Sequence, residues 1–238
     1  KTINDFLTDD LLAGVAPSAE SGKGKDVLMR DVLDVASEKI EEASRPGGRF
    51  ADKPLIEASI RATLGGTYAE LGEYTNAEPH LERARELRER ELGEEHLSTL
   101  SSVTSLANLY KDQGRYDEAE PLLLETLEIG KRVVGEEHRD TLLSMGNLAA
   151  LYWSQGRYDE AEDLFNEGIA LGDSRFPGKD HPFTMRHVNG LGMLRTKQGH
   201  FEDAEVLFKR ALQGRKAKLG EDHPYTLETI NDLGLLHR

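Results

Sequence analysis

Apolar residues along most of this chain recur at intervals of three and four. Val103, Leu106 and Tyr110 mark one face of a helix. The pattern breaks at Gly114 and resumes at once, predicting a second helix from Tyr116 to Val133. The same phrase then returns. Leu64, Leu106, Leu148, Leu191 and Leu233 are followed by the small residues Gly65, Ala107, Ala149, Gly192 and Gly234. Four positions after each of the five leucines stand Tyr68, Tyr110, Tyr152, Arg195 and His237. The turns "GEYTNAE", "GRYDEAE", "GRYDEAE" and "GHFEDAE" supply Ala77, Ala119, Ala161 and Ala204, each trailed four residues later by Leu81, Leu123, Phe165 or Phe208. A small residue facing a large one lets two helices approach closely, so this pattern predicts an all-α array of antiparallel helix pairs.

The units are joined by a second recurring phrase: "LGEEHLSTL", "VGEEHRDTL", "PGKDHPFTM" and "LGEDHPYTL". Its glycines, Gly93, Gly135, Gly178 and Gly220, are 42, 43 and 42 residues apart. The recurring leucine, small residue, tyrosine, alanine and large residue resemble the tetratricopeptide repeat. With its longer period the chain resembles the kinesin-light-chain type and the repeat regions of bacterial signalling proteins. The resemblance covers residues 57–238, in units of about 57–98, 99–140, 141–183 and 184–225 with a half unit at 226–238. It implies a right-handed superhelical α-solenoid that binds partners on a concave face.

Residues 1–56 stand outside the repeat. "INDFLTDDLLAG" is amphipathic, and so is "DVLMRDVLDVASEKIEEA", with Val27, Leu28, Val32, Leu33, Ala36 and Ile40 on one face. The second segment is expected to cap the array. This layout resembles the stretch that joins a membrane-anchored bacterial serine/threonine kinase to its repeats, which implies a sensory or regulatory domain as the alternative function. The chain begins with Lys, so we expect an excised piece of a longer protein. It ends after the first helix of a fifth unit. That leaves Leu233 and Leu236 to be covered by a further helix or by self-association through the C-terminal helix.

Charge narrows the partners. Thirty basic residues against 44 acidic ones give a net charge of −14 over 238 residues, which disfavours nucleic acid and anionic membranes. No apolar run is long enough to cross a membrane, and cysteine is absent. Location is cytoplasmic by default, or extracytoplasmic if the kinase resemblance holds.

The chemistry-bearing residues read as scaffold. Histidines His96, His138, His181 and His223 lie one repeat apart, too far for neighbours to share an ion, so we expect backbone-bonding joints and no metal site. Thr99, Thr141, Thr184 and Thr226 fit the helix starts that follow. "HRD" at His138 matches a kinase catalytic loop, but Met145 occupies the place of its metal-binding asparagine. "SGKGK" lacks phosphate-loop spacing. The expectation is a non-enzymatic scaffold without cofactors, binding a protein or peptide through a groove that contains Thr104, Asn108, Asn147, Ala150, Trp153, Asn189, Met193 and Asn231. Trp153, the only tryptophan, is the expected hot spot.

Overall fold

The structure is a computed structural model that describes residues 29–176 and 181–236. The amphipathic segment "INDFLTDDLLAG", Val27, Leu28, "SGKGK", Gly178, His237 and the last residue lie outside these bounds. Among the described residues there are ten helices and no strand. They are α1 (Met29–Ser44), α2 (Pro54–Glu70), α3 (Tyr74–Leu92), α4 (Leu97–Asp112), α5 (Tyr116–Val133), α6 (Arg139–Ser154), α7 (Tyr158–Arg175), α8 (Pro182–Gln198), α9 (Phe201–Leu219) and α10 (Pro224–Leu236). None of them is long and apolar enough to cross a membrane. Tertiary contacts divide the chain into two compact units, one ending at Leu109 and one starting at Tyr110.

In the first unit α2 and α3 form a pair, and α1 packs on α2. Leu33, Ala36 and Ile40 of α1 are buried. Ala77, Leu81 and Ala84 of α3, spaced four and three, supply the facing stripe. The small residue after the repeat leucine has the expected purpose here: a Cβ on Gly65 would lie 2.7 Å from Leu81 Cγ. Phe50, fully buried, holds down the link between α1 and α2.

In the second unit the helices pack consecutively, α5 on α6, α6 on α7, and so on to α10, with α6 also meeting α8. Leu142, Met145, Leu148, Phe165, Met185, Val188 and Phe208 form its core. Gly192 repeats the role of Gly65, since a Cβ there would lie 2.8 Å from Phe208 Cε1. Successive repeats are also tied by ions. Arg157 lies 3.9 Å over the Tyr152 ring and donates to Glu120, one repeat earlier, at 2.7 Å. In the next repeat Arg195 replaces the tyrosine and itself reaches back to Glu162 at 2.7 Å.

The joints show how the recurring phrase works. Histidine, rather than threonine, is the capping residue: Nδ1 of His96, His138 and His223 accepts the backbone N–H two residues on, at 3.1, 3.3 and 3.2 Å. His181 does the same for Phe183 at 3.5 Å. Thr99, Thr141 and Thr226 sit one turn inside the helix and donate back to the carbonyls of Gly93, Gly135 and Gly220, each at 2.8 Å. Those glycines have φ of 89°, 97° and 95°, a region costly for any side chain. No cluster of three metal-ligating side chains occurs among the described residues.

On α10 the exposed large apolar residues are Tyr225, Leu227, Ile230 and Leu235, whereas Leu233 and Leu236 are half-buried. The face left open is therefore not the one expected from the sequence. A Cβ on Gly234 would meet nothing within 4 Å.

Candidate functional site

Two helices of the second unit carry the main walls of a groove of about 790 Å³. On α6 the lining residues Leu143, Gly146, Ala150 and Trp153 fall at spacings of three and four, one helical stripe. On α8 the stripe is Phe183, Arg186, Asn189, Gly190 and Met193. The floor rises from α7, where Phe165 reaches so close that a Cβ on Gly190 would lie 2.5 Å from its ring. Tyr225 and Glu228 of α10 and Arg215 of α9 close the far side. Small residues at 146, 150 and 190 keep the space open between aromatic walls.

The polar groups of this groove are unevenly satisfied. Arg215, 4% exposed, donates to the Tyr225 carbonyl and Thr229 Oγ1, both at 2.6 Å, and to Glu228 at 3.1 Å. Burial depresses its pKa, and those partners offset the cost of its charge. Arg186 differs. Its Nη2 donates to Asn147 Oδ1 at 2.6 Å, burial lowers its pKa, and no carboxylate among the described residues lies within ion-pair distance. Glu228, whose charge acts on Arg186, is already engaged by Arg215. Asn189, 3% exposed, donates from Nδ2 to Asp232 at 3.0 Å, but its Oδ1 has no partner. Trp153 Nε1 is buried and also without a partner among the described residues.

Beneath this wall His187 fixes α8 to α6. It is fully buried, and its Nε2 donates to the Leu142 carbonyl at 2.9 Å. Burial holds its pKa down to about 4, so the ring is neutral and Nδ1 carries no proton. The ring fits only because α7 offers Gly168, where a Cβ would run into His187 Cε1.

Of the residues expected to bind a partner, the structure brings Ala150, Trp153, Asn189 and Met193 around this one cavity. Asn147 is buried and turned to Arg186 instead of outward. Asn231 is exposed on α10 and does not line the cavity. Thr104 and Asn108 are half-buried on the portion of α4 that belongs to the first unit. Sequence reasoning missed Arg186, Phe183, Arg215 and Tyr225. A signal for Arg186 existed: its repeat register holds Ser59, Ser101, Leu143, Arg186 and Glu228, so it is the one cation in that column.

The groove thus lies between α6 and α8, the first helices of consecutive helix pairs, an arrangement that belongs to helical-repeat proteins. The tetratricopeptide repeat model matches residues 57–111, 101–174 and 184–238, and the chain belongs to that family. Repeats of this family are generally non-enzymatic scaffolds. Among solved structures the chain is similar to BtubC (BKLC) of P. vanneervenii, with a TM-score of 0.67, 23% identity, and coverage of 89% of this chain and 84% of that one. It is also similar to a Podosopora anserina putative kinesin light chain with nearly identical TPR-like repeats, at a TM-score of 0.59 and 25% identity over 77% of this chain and 86% of that one. A Rap protein complexed with competence and sporulation factor aligns at a TM-score of 0.62 and 15% identity, over 99% of this chain and 62% of that one. No curated protein matches.

Proposed function

We propose that the chain is a non-enzymatic interaction scaffold whose second-unit groove binds an extended segment of a partner protein. The observation that carries this reading is the pair of buried, unpartnered groups in the groove wall, Trp153 Nε1 and Asn189 Oδ1. One donates and the other accepts, as the two sides of a peptide unit require. Buried polar groups left without partners cost about 1–3 kcal/mol each. Both atoms are closed to solvent here, so a segment that satisfies them does so with a small shift of the wall and gains affinity from its deficit. The aromatic and aliphatic lining supplies the apolar contact that a side chain on either side of that peptide unit would bury. The Rap protein solved in complex with competence and sporulation factor shares this fold.

Affinity capture from the native source, with wild type beside Trp153→Ala and Asn189→Ala, tests this reading. A bound partner weakened by both substitutions, at unchanged helical circular dichroism, is the expected result. Partners captured equally by all three chains would overturn it.

A second copy of the chain is the partner we propose for α10, whose Leu227, Ile230 and Leu235 are 51%, 42% and 55% exposed. Sedimentation should show association that Leu227→Glu with Ile230→Glu abolishes. A strictly monomeric wild type would dismiss it.

A further inference from the structure

We infer that the segment held by this groove carries an aspartate or glutamate side chain, bound by Arg186, with apolar residues on both sides of it. The inference rests on the reading of the groove as a site for an extended segment and adds the chemistry of that segment. A protein with 44 acidic residues supplies none of them to Arg186 within ion-pair distance among the described residues. Its neighbour Arg215 shows the contrast, because every donor assigned to it ends on a carbonyl, a hydroxyl or Glu228. Arg186 has only one neutral partner, Asn147 Oδ1, which orients the guanidinium without cancelling its charge. A guanidinium has five N–H donors in a flat fork that suits a carboxylate, and Arg186 lines a cavity dominated by apolar walls. There a charged hydrogen bond is stronger than in water.

The position of Arg186 selects an internal side chain over a chain terminus. Along α8 it has Phe183 one turn before it and Met193 two turns after, and Trp153 stands at the C-terminal end of the α6 stripe. Apolar wall therefore extends in both directions from the cation. The distance from Gly146, beside Arg186, to Trp153 on α6 is ~10 Å at 1.5 Å per residue. That matches about three residues of an extended chain. The recognised pattern is an acidic residue with a large apolar residue about three positions away, their intervening peptide unit bonded by Trp153 Nε1 and Asn189 Oδ1. Charge complementarity holds for the cavity as a whole, since Lys111, Arg186 and Arg215 line it against Glu228 alone.

A random dodecapeptide library displayed on phage, panned on the whole chain, tests this. Recovered sequences should be enriched in Asp or Glu at a fixed distance from an apolar residue. A synthetic recovered peptide, amidated at its C terminus, should bind Arg186→Gln about 10- to 100-fold more weakly than wild type. Replacing its acidic residue with the matching amide should cause a similar loss on wild type and little further loss on the variant. Arg186→Lys keeps the charge and should retain part of the acidic preference. Peptides that Trp153→Ala no longer binds, but that carry no acidic bias, would overturn the inference and leave the groove reading standing. Loss of binding on amidation alone would place a terminal carboxylate at Arg186 and overturn the internal side chain. If no recovered peptide responded to Trp153→Ala, the groove reading would fall with it.

Discussion

Each unit holds an arginine beside a buried histidine, Arg61 buried in the first and Arg186 half-buried in the second, and the two sets are finished differently. In the first unit Arg61 donates to Glu57 and Glu41, both at 2.7 Å, while His80 meets Ser37 Oγ at 2.9 Å and Tyr68 donates to Asp34 at 2.7 Å. Burial opposes the charge on Arg61, but the hydrogen bonds with Glu41 and Glu57 outweigh it and raise its pKa. The same bond with Arg61, set against some burial, holds Glu41 below the usual carboxylate range. In the second unit Arg186 has Asn147 alone, its pKa is lowered by burial, and Trp153 and Asn189 each present an unpartnered atom. A polar cluster whose charges are matched internally serves to dock α1 on the first helix pair. The second cluster leaves its cation and its hydrogen-bonding atoms unmatched, and the segment we propose for the groove would complete them.

Arginine removal separates the two cases most sharply. Arg61→Met strands the Glu57 carboxylate, 6% exposed, with only Arg83 at 3.5 Å to compensate. Urea denaturation should show a loss of about 3–5 kcal/mol, nearer the lower figure because Arg83 remains. The corresponding Arg186→Met leaves no buried carboxylate behind, only Asn147 Oδ1 without its donor, and should cost less, about 1–2 kcal/mol. Equal losses would erase the distinction.

The two histidines should respond alike to acid. Burial depresses both His80 and His187 to about 4, from an ordinary 6.5. Between those values the unfolded chain binds protons that the folded chain does not. Stability is therefore full above pH 6.5 and falls as pH drops toward 4, by about 3 kcal/mol at most for each ring. Denaturation midpoints measured from pH 7 to 4.5 should decline, and His187→Gln should flatten part of the slope.

A smaller effect contrasts one register at two places in the second unit. Gly192→Ala pushes a methyl against Phe208 and should cost about 1–3 kcal/mol. Gly234→Ala enters open space on a helix and should be neutral or stabilising by about 1 kcal/mol. Thermal melts of the two variants check the sign of each change.

Periodicity made most of the scaffold legible. The expected second helix from Tyr116 to Val133 coincides with α5, because glycine breaks and apolar spacing act within a few residues and need no distant partner. The joint histidines were readable as residues that bond backbone near the next helix start, but the cap itself was expected of the threonines, because the Nδ1 lone pair is not a usual acceptor at helix starts. Arg186 escaped for the opposite reason. Comparing repeats weights what recurs, and Arg186 departs from its column. Asn147 was placed on the groove face by its register, yet Arg186 draws it inward, a tertiary contact 39 positions along the chain that spacing cannot reveal.

Trp153 gives the most direct measurement, because no other tryptophan contributes to the signal. A groove-selected peptide lacking tryptophan and tyrosine, titrated into the whole chain, should shift the Trp153 emission saturably, at the same midpoint that calorimetry finds. Arg186→Gln should move that midpoint to higher concentration without removing the shift. Calorimetric binding of the same peptide with no change in Trp153 emission would contradict the account.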